Sequence, residues 1–222
     1  MEIIAHRGCS KKHGDNTMNA FKLASELNCG IELDCQITKD KVIICTHNPF
    51  CKETGIMTYD INYDENIHVK LHDVFVEVGN NVEYFFIDIK DTRLESDVVF
   101  YLINLVTIHK IQNKCIFASF NEFHLRDICD EERRRTLFLK KAYITGNMEV
   151  DMFASKIKTW GLSYIIIYKF QINKTLVSFL KSQNVKLFVY TCNTIGTFHY
   201  CEECKCDGII SDIPEFFKDL SK

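Results

Sequence analysis

The chain has 222 residues, 46% of them hydrophobic and 26% charged, with a formal net charge of −3. That length and apolar content suit one domain with a sizeable core and leave no room for a second full one. A mildly acidic balance and a sequence pI near 6.2 exclude a general electrostatic pull toward nucleic acid or anionic membrane, so an anionic ligand needs a local site.

Taken in chain order, short β-branched or aromatic runs alternate with longer amphipathic ones, the pattern of a parallel sheet with crossover helices. Strands are predicted at 3–5, 31–37, 42–46, 84–89, 115–119, 136–139, 164–168, 186–191 and 208–211. Helices are predicted at about 19–27, 71–78, 95–108, 122–131, 151–159, 174–182, 195–201 and 214–220. Counting 42–46 as an extension of the second unit leaves eight βα units, the number of a TIM-type (β/α)8 barrel. An open doubly wound sheet shares the same alternation. The barrel is expected to be a single α/β domain over 1–222, interrupted after the second strand region by a short polar insertion at 48–70. A barrel places an active-site loop there. Only Pro49 and Pro214 occur, and no Gly/Ser-rich linker marks a break.

Eleven cysteines are an odd number for a disulfide framework. Several, such as Cys35, Cys45 and Cys115, fall in strand-like runs and read as small buried hydrophobes in a reducing cytosol. Cys201, Cys204 and Cys206, with His199 nearby, have spacing that zinc could use, but no second Cys/His cluster completes four ligands, and they are read as helix-end thiols. The N-terminus lacks an apolar leader core and no run approaches the roughly 18 apolar residues of a membrane span. A cytoplasmic protein without a transmembrane segment is therefore expected.

Side chains alternate along a strand, so Glu32 and Asp34 share one face, and Asp88 and Lys90 repeat that arrangement in a later strand. Three carboxylates converging from neighbouring strands repel one another unless a cation lies between them. A hard divalent metal is the economical explanation. The alternative, a solvated edge-strand face, fits poorly with the aliphatic flanks of both runs. His6 follows the first strand and His47 ends the run at 42–46. Histidines near pKa 6.5 can serve the attacking and leaving oxygens in turn. Arg7 and Lys90 supply positive charge suited to the non-bridging oxygens of a phosphodiester, or act as counter-ions to the acids.

These residues, in this order, resemble the glycerophosphodiester phosphodiesterase family. The likeness runs through His6-Arg7-Gly8, Asp15-Asn16-Thr17, Glu32-Leu33-Asp34, His47, Thr54-Gly55, Ile87-Asp88-Ile89-Lys90, Ser119-Phe120-Asn121, Tyr190-Thr191-Cys192-Asn193 and Gly208 to Pro214. The resemblance implies a TIM-type barrel, one divalent cation (Mg2+ or Ca2+, with Mn2+ as a further option) held by Glu32, Asp34 and Asp88, and His6 and His47 as general acid and base. It also implies phosphate contacts from Arg7 and Lys90, with Asn16 and Tyr190 shaping the site. The implied substrate is a small phosphodiester such as glycerophosphocholine, cleaved to glycerol 3-phosphate and an alcohol. A neighbouring glycerol hydroxyl could attack first and leave a cyclic phosphate.

Three departures stand out: the third acid is usually Glu and here is Asp88, the usual His-Asp pair is His47-Asn48, and a usual Trp is Tyr190. An aspartate in the third position is also similar to the spider-toxin phospholipases D, or sphingomyelinases D, whose lipid cleavage gives a cyclic product. Those lack the His-Arg-Gly signature and carry disulfides, which favours the glycerophosphodiesterase reading. A lysophospholipid-cleaving enzyme, with Phe50, Ile56, Met57 and Tyr59 as an apolar approach, and a non-catalytic phosphoester-binding barrel are the remaining alternatives.

Overall fold

The computed structural model describes residues 1–93, 95–146 and 150–220. Its strands in chain order are β1 (Glu2–His6), β2 (Gly30–Ile37), β3 (Ile43–Cys45), β4 (Val69–Lys70), β5 (Phe85–Ile89), β6 (Cys115–Ser119), β7 (Lys140–Thr145), β8 (Tyr164–Tyr168), β9 (Lys186–Tyr190) and β10 (Gly208–Ser211). The helices are α1 (Ser10–His13), α2 (Met18–Glu26), α3 (Leu71–Val78), α4 (Val98–Ile108), α5 (Glu122–Arg135), α6 (Val150–Trp160), α7 (Lys174–Ser182), α8 (Ile195–Cys204) and α9 (Pro214–Leu220). Eight strands run parallel in the order β1-β10-β9-β8-β7-β6-β5-β2, and β1 pairs with β2 to close the barrel.

The inward side chains are mostly large and apolar. Ile4, Phe86, Ile116, Tyr164, Ile166, Phe188 and Ile210 form a cluster of their own inside the barrel. Phe86, Tyr164 and Phe188 meet at centroid distances of 4.9 to 5.8 Å, so they plug the interior with rings. Gly208 makes room for that plug, because a Cβ there would lie 2.1 Å from the Phe188 ring. Outside the barrel, the other strand faces and the helices share a larger core that includes Phe21, Leu33, Leu71, Phe85, Leu102 and Phe117.

Two of the expected strands differ from the sequence expectation, and the short α1 and β4 are not anticipated by it. The run at 42–46 does not extend the second unit. Its β3 portion turns back and pairs antiparallel with β2, then with β4, outside the barrel. The strand expected at 136–139 begins later, at Lys140, because α5 continues to Arg135 on ion pairs from Glu131 to Arg134 and Arg135, both at 2.6 Å. Thr136, in the left-handed region at φ 54°, ends that helix. The lysines at the start of β7 disguise it as a polar segment, although Lys141 is buried and paired with Glu132.

Candidate active site

Each parallel strand of such a barrel delivers its last side chains to the same rim. His6 ends β1, and register places it opposite Glu32 on β2. Asp34 lies opposite Asp88 across the β2–β5 ladder. The three acids are buried and offer carboxylate oxygens within 4.8 Å of one another. Together with His6, Arg7, His47, Lys90 and Tyr190 they line one cavity of about 220 Å³ at the barrel mouth. Apart from Thr191, the remaining wall is apolar, formed by Ala118, Ile144, Ile166 and Ile210 together with Phe120.

Burial above an aromatic floor is expensive for these carboxylates. Glu32 is pushed up to about 7, first by burial and then by the charge of Asp34, against the opposing pull of His6. Asp88 is pushed up to about 8 by burial and by Asp34 and Glu32, although Lys90 draws it down. Lys90 Nζ lies 2.6 Å from Asp88 Oδ2 and 3.5 Å from Asp34 Oδ1. The other oxygen of Asp88, Oδ1, is buried without a hydrogen-bond partner. An orphaned carboxylate oxygen inside a set of oxygen donors fits a hard divalent cation, which would satisfy it and relieve the repulsion.

The loop after β1 is tied to the same acids. The Arg7 backbone N–H donates to Glu32 Oε2 at 2.9 Å, its Nε lies 2.9 Å from Asp34 Oδ2, and its Nη1 donates to Asp15 at 2.6 Å. Asn16 donates from Nδ2 to Asp34 Oδ2 at 2.9 Å and accepts from the Asp34 backbone N–H at 3.2 Å. Asn16 therefore holds the Asp34 carboxylate and is itself tied to Arg7, whose carbonyl accepts its backbone N–H at 3.1 Å.

His6 Nδ1 lies 2.5 Å from Asp212 Oδ1, and Asn193 donates to the other Asp212 oxygen at 2.6 Å. Burial by itself would lower the His6 pKa, but the Asp212 hydrogen bond and the Glu32 charge outweigh it and raise it. With Nδ1 tied to Asp212, Nε2 faces Glu32 at 4.0 Å. Sequence reading assigned no role to Asp212 or Asn193. The available signal was a carboxylate at the C-terminal end of the β-branched run Gly208–Ser211, the same placement that singled out His6. His47 is more exposed and sits beyond β3, with Nδ1 3.2 Å from Asn48 Oδ1. That neighbour is an amide oxygen, which can accept a hydrogen bond from the ring but carries no charge.

The insertion lies beside the β1–β2 side of the mouth. Phe50 and Met57 bridge its two limbs, and Tyr59 stacks under Arg93 at 4.7 Å. The groove it borders carries Asp15, Lys52 and Glu53 beside Phe50, Ile67 and Val69, so this side is more polar than apolar. All eleven cysteines are free thiols. Cys201, Cys204 and Cys206 are buried in the core, and His199 pairs with Glu202 at 3.1 Å. No helix among the described residues is long and apolar enough to cross a membrane.

Residues 6–62 and 52–216 match the model of the glycerophosphoryl diester phosphodiesterase family. A glycerophosphodiester phosphodiesterase of Caldanaerobacter subterraneus is 29% identical, covering 98% of this chain and 96% of its own. Among solved structures, an Oleispira antarctica phosphodiesterase in complex with the product sn-glycerol-3-phosphate superposes with a TM-score of 0.89. It is 16% identical and covers 100% of this chain and 97% of its own. The Thermotoga maritima glycerophosphodiester phosphodiesterase gives 0.78 at 23% identity, covering 98% and 97%.

Proposed function

Because this chain belongs to the glycerophosphoryl diester phosphodiesterase family, we infer that it is a metal-dependent enzyme cleaving glycerophosphodiesters, such as glycerophosphocholine, to glycerol 3-phosphate and an alcohol. The observation that supports this reading most directly is the convergence of three buried carboxylates, two histidines and two cations on one small cavity.

The proposed ligands are Glu32, Asp34 and Asp88, and Mg2+, Ca2+ or Mn2+ bound there would supply Lewis-acid polarisation of the phosphoryl oxygens. Arg7 and Lys90 hold the non-bridging oxygens by charge-assisted hydrogen bonds. His6, with its ring fixed by Asp212, presents Nε2 to the cavity as one proton carrier. His47, on the insertion side, is the other. One takes the proton of the attacking hydroxyl as the new P–O bond forms, and the other gives a proton to the departing alkoxide as the old one breaks. When the attacker is the adjacent glycerol hydroxyl, held near phosphorus at high effective molarity, the first product is a cyclic phosphate that water opens in a second step.

A panel of glycerophosphodiesters and lysolipids, assayed with and without chelator and followed by phosphorus NMR, tests the reading. Metal-dependent release of glycerol 3-phosphate is expected. Undiminished turnover after exhaustive chelation would sink the metal, and inertness toward every diester would sink the activity.

A further inference from the structure

Beyond the apolar wall of the cavity, four aromatic rings continue outward without a gap. Tyr190 lines the cavity at the end of β9, and Phe120, just after β6, stands at its edge. Their centroids are 6.2 Å apart, and the path continues from Tyr190 to Tyr168 at 5.7 Å and from Tyr168 to Phe170 at 5.3 Å. Exposure along it is 45% for Phe120, 37% for Tyr168 and 82% for Phe170. Rings this exposed, contiguous and joined to a reactive cavity need an occupant more than scattered surface aromatics do.

Local charge narrows what that occupant is. Lys90 Nζ stands 4.9 Å from the Phe120 centroid, and Lys169 Nζ lies 6.0 and 5.5 Å from those of Tyr168 and Phe170. A cationic head group following this path meets the like charge of Lys169 at its outer end, and at the inner end that of Lys90 offset by Asp88 and Asp34, although aromatic faces alone would attract it. An uncharged hydrocarbon chain meets no such penalty. On the opposite flank of the mouth, the groove with Asp15, Lys52 and Glu53 is polar and charged. The cavity thus lies between a polar exit and an apolar one.

We propose that the Phe120-Tyr190-Tyr168-Phe170 path is a subsite for the acyl or alkyl chain of an amphiphilic glycerophosphodiester, making monomeric lysophospholipids substrates. This rests on the phosphodiesterase reading for the place of the phosphate. The chain leaves the cavity over Tyr190 and lies along Tyr168 and Phe170, while the polar head leaves by the charged groove. Full burial of a methylene changes affinity about fourfold, and an open ring path should capture about twofold per methylene.

Lysophosphatidylcholines of increasing acyl length, kept below micelle formation, should show kcat/KM rising with chain length and then levelling as the chain outruns Phe170. In the double variant Tyr168→Ser/Phe170→Ser, the ratio of kcat/KM for octanoyl-lysophosphatidylcholine to that for glycerophosphocholine should fall about tenfold or more. Equal losses on both substrates, or a chain-length effect confined to micellar concentrations, would overturn the subsite. Calorimetric titration with octylphosphocholine requires no turnover and separates the two readings. Tighter binding than by phosphocholine, lost in the double variant, supports the subsite even when no diester is cleaved. Unchanged affinity in the variant would refute it while leaving glycerophosphocholine hydrolysis intact.

Discussion

An imidazole carries protons along one path only when one of its nitrogens is fixed. For His6 the fixing group is Asp212, itself held by Asn193 and approached by Ser10 Oγ at 3.4 Å. Asp212 stays ionised because the hydrogen bond and charge of His6 hold its pKa below the usual value, although burial acts the other way. Replacing it with asparagine keeps the shape and removes the charge that selects the tautomer. Asp212→Asn is expected to lower kcat with little change in KM, by less than the loss in His6→Ala. His6→Ala and His47→Ala should each cost about two to four orders of magnitude in kcat, with unchanged circular dichroism. Steady-state kinetics on glycerophosphocholine checks all three, and near-normal turnover in either alanine variant with metal bound would remove that histidine from the mechanism.

At the scale of elements, the decisive piece is the turn between β1 and α1. Arg7 and Gly8 both have positive φ, 57° and 77°, and Asn16, just beyond α1 at φ 56°, donates its backbone N–H back to the Arg7 carbonyl at 3.1 Å. This sharp reversal aims the Arg7 backbone N–H at Glu32 while its side chain reaches Asp34 and Asp15. Gly8 is needed twice over. Its φ strains other residues, and a Cβ there would lie 2.7 Å from the backbone carbon of Ala20 in α2. Gly8→Ala is therefore expected to destabilise the fold by about 1 to 3 kcal/mol and to lower turnover further by displacing Arg7. Denaturant melts and kinetics on the same preparation test this. A variant with wild-type midpoint and kcat would show that the turn can relax.

At the scale of the whole molecule, the barrel stores electrostatic repulsion at one end. Glu32 and Asp88 titrate above their unfolded values, so between roughly pH 4 and 8 the metal-free folded protein binds more protons than the unfolded chain. Stability contributed by these groups must then fall as pH rises through that window. A divalent cation replaces the protons, so its stabilising effect should grow over the same range. Thermal melts of chelated protein from pH 5 to 8, with and without Mg2+, Ca2+ or Mn2+, read this directly, with Glu32→Gln flattening the slope. Greater chelated stability at pH 8 than at pH 5, in wild type relative to that variant, would contradict it. The sequence by itself determined the alternation of eight βα units and, through the two-residue period of strands, that Glu32 and Asp34 share a face, because both are local properties of chain geometry. It did not reveal that 42–46 turns back against β2, since a short apolar run has no direction of its own. Nor did it assign Asp212 to His6, 206 residues away, or join four rings from three separate strand ends into one path. The His6–Asp212 contact exists because β1 pairs with β10 as well as with β2, and the rings meet because the curved sheet brings the ends of β6, β8 and β9 to one rim; both are decided by packing of the whole barrel rather than by any segment of it.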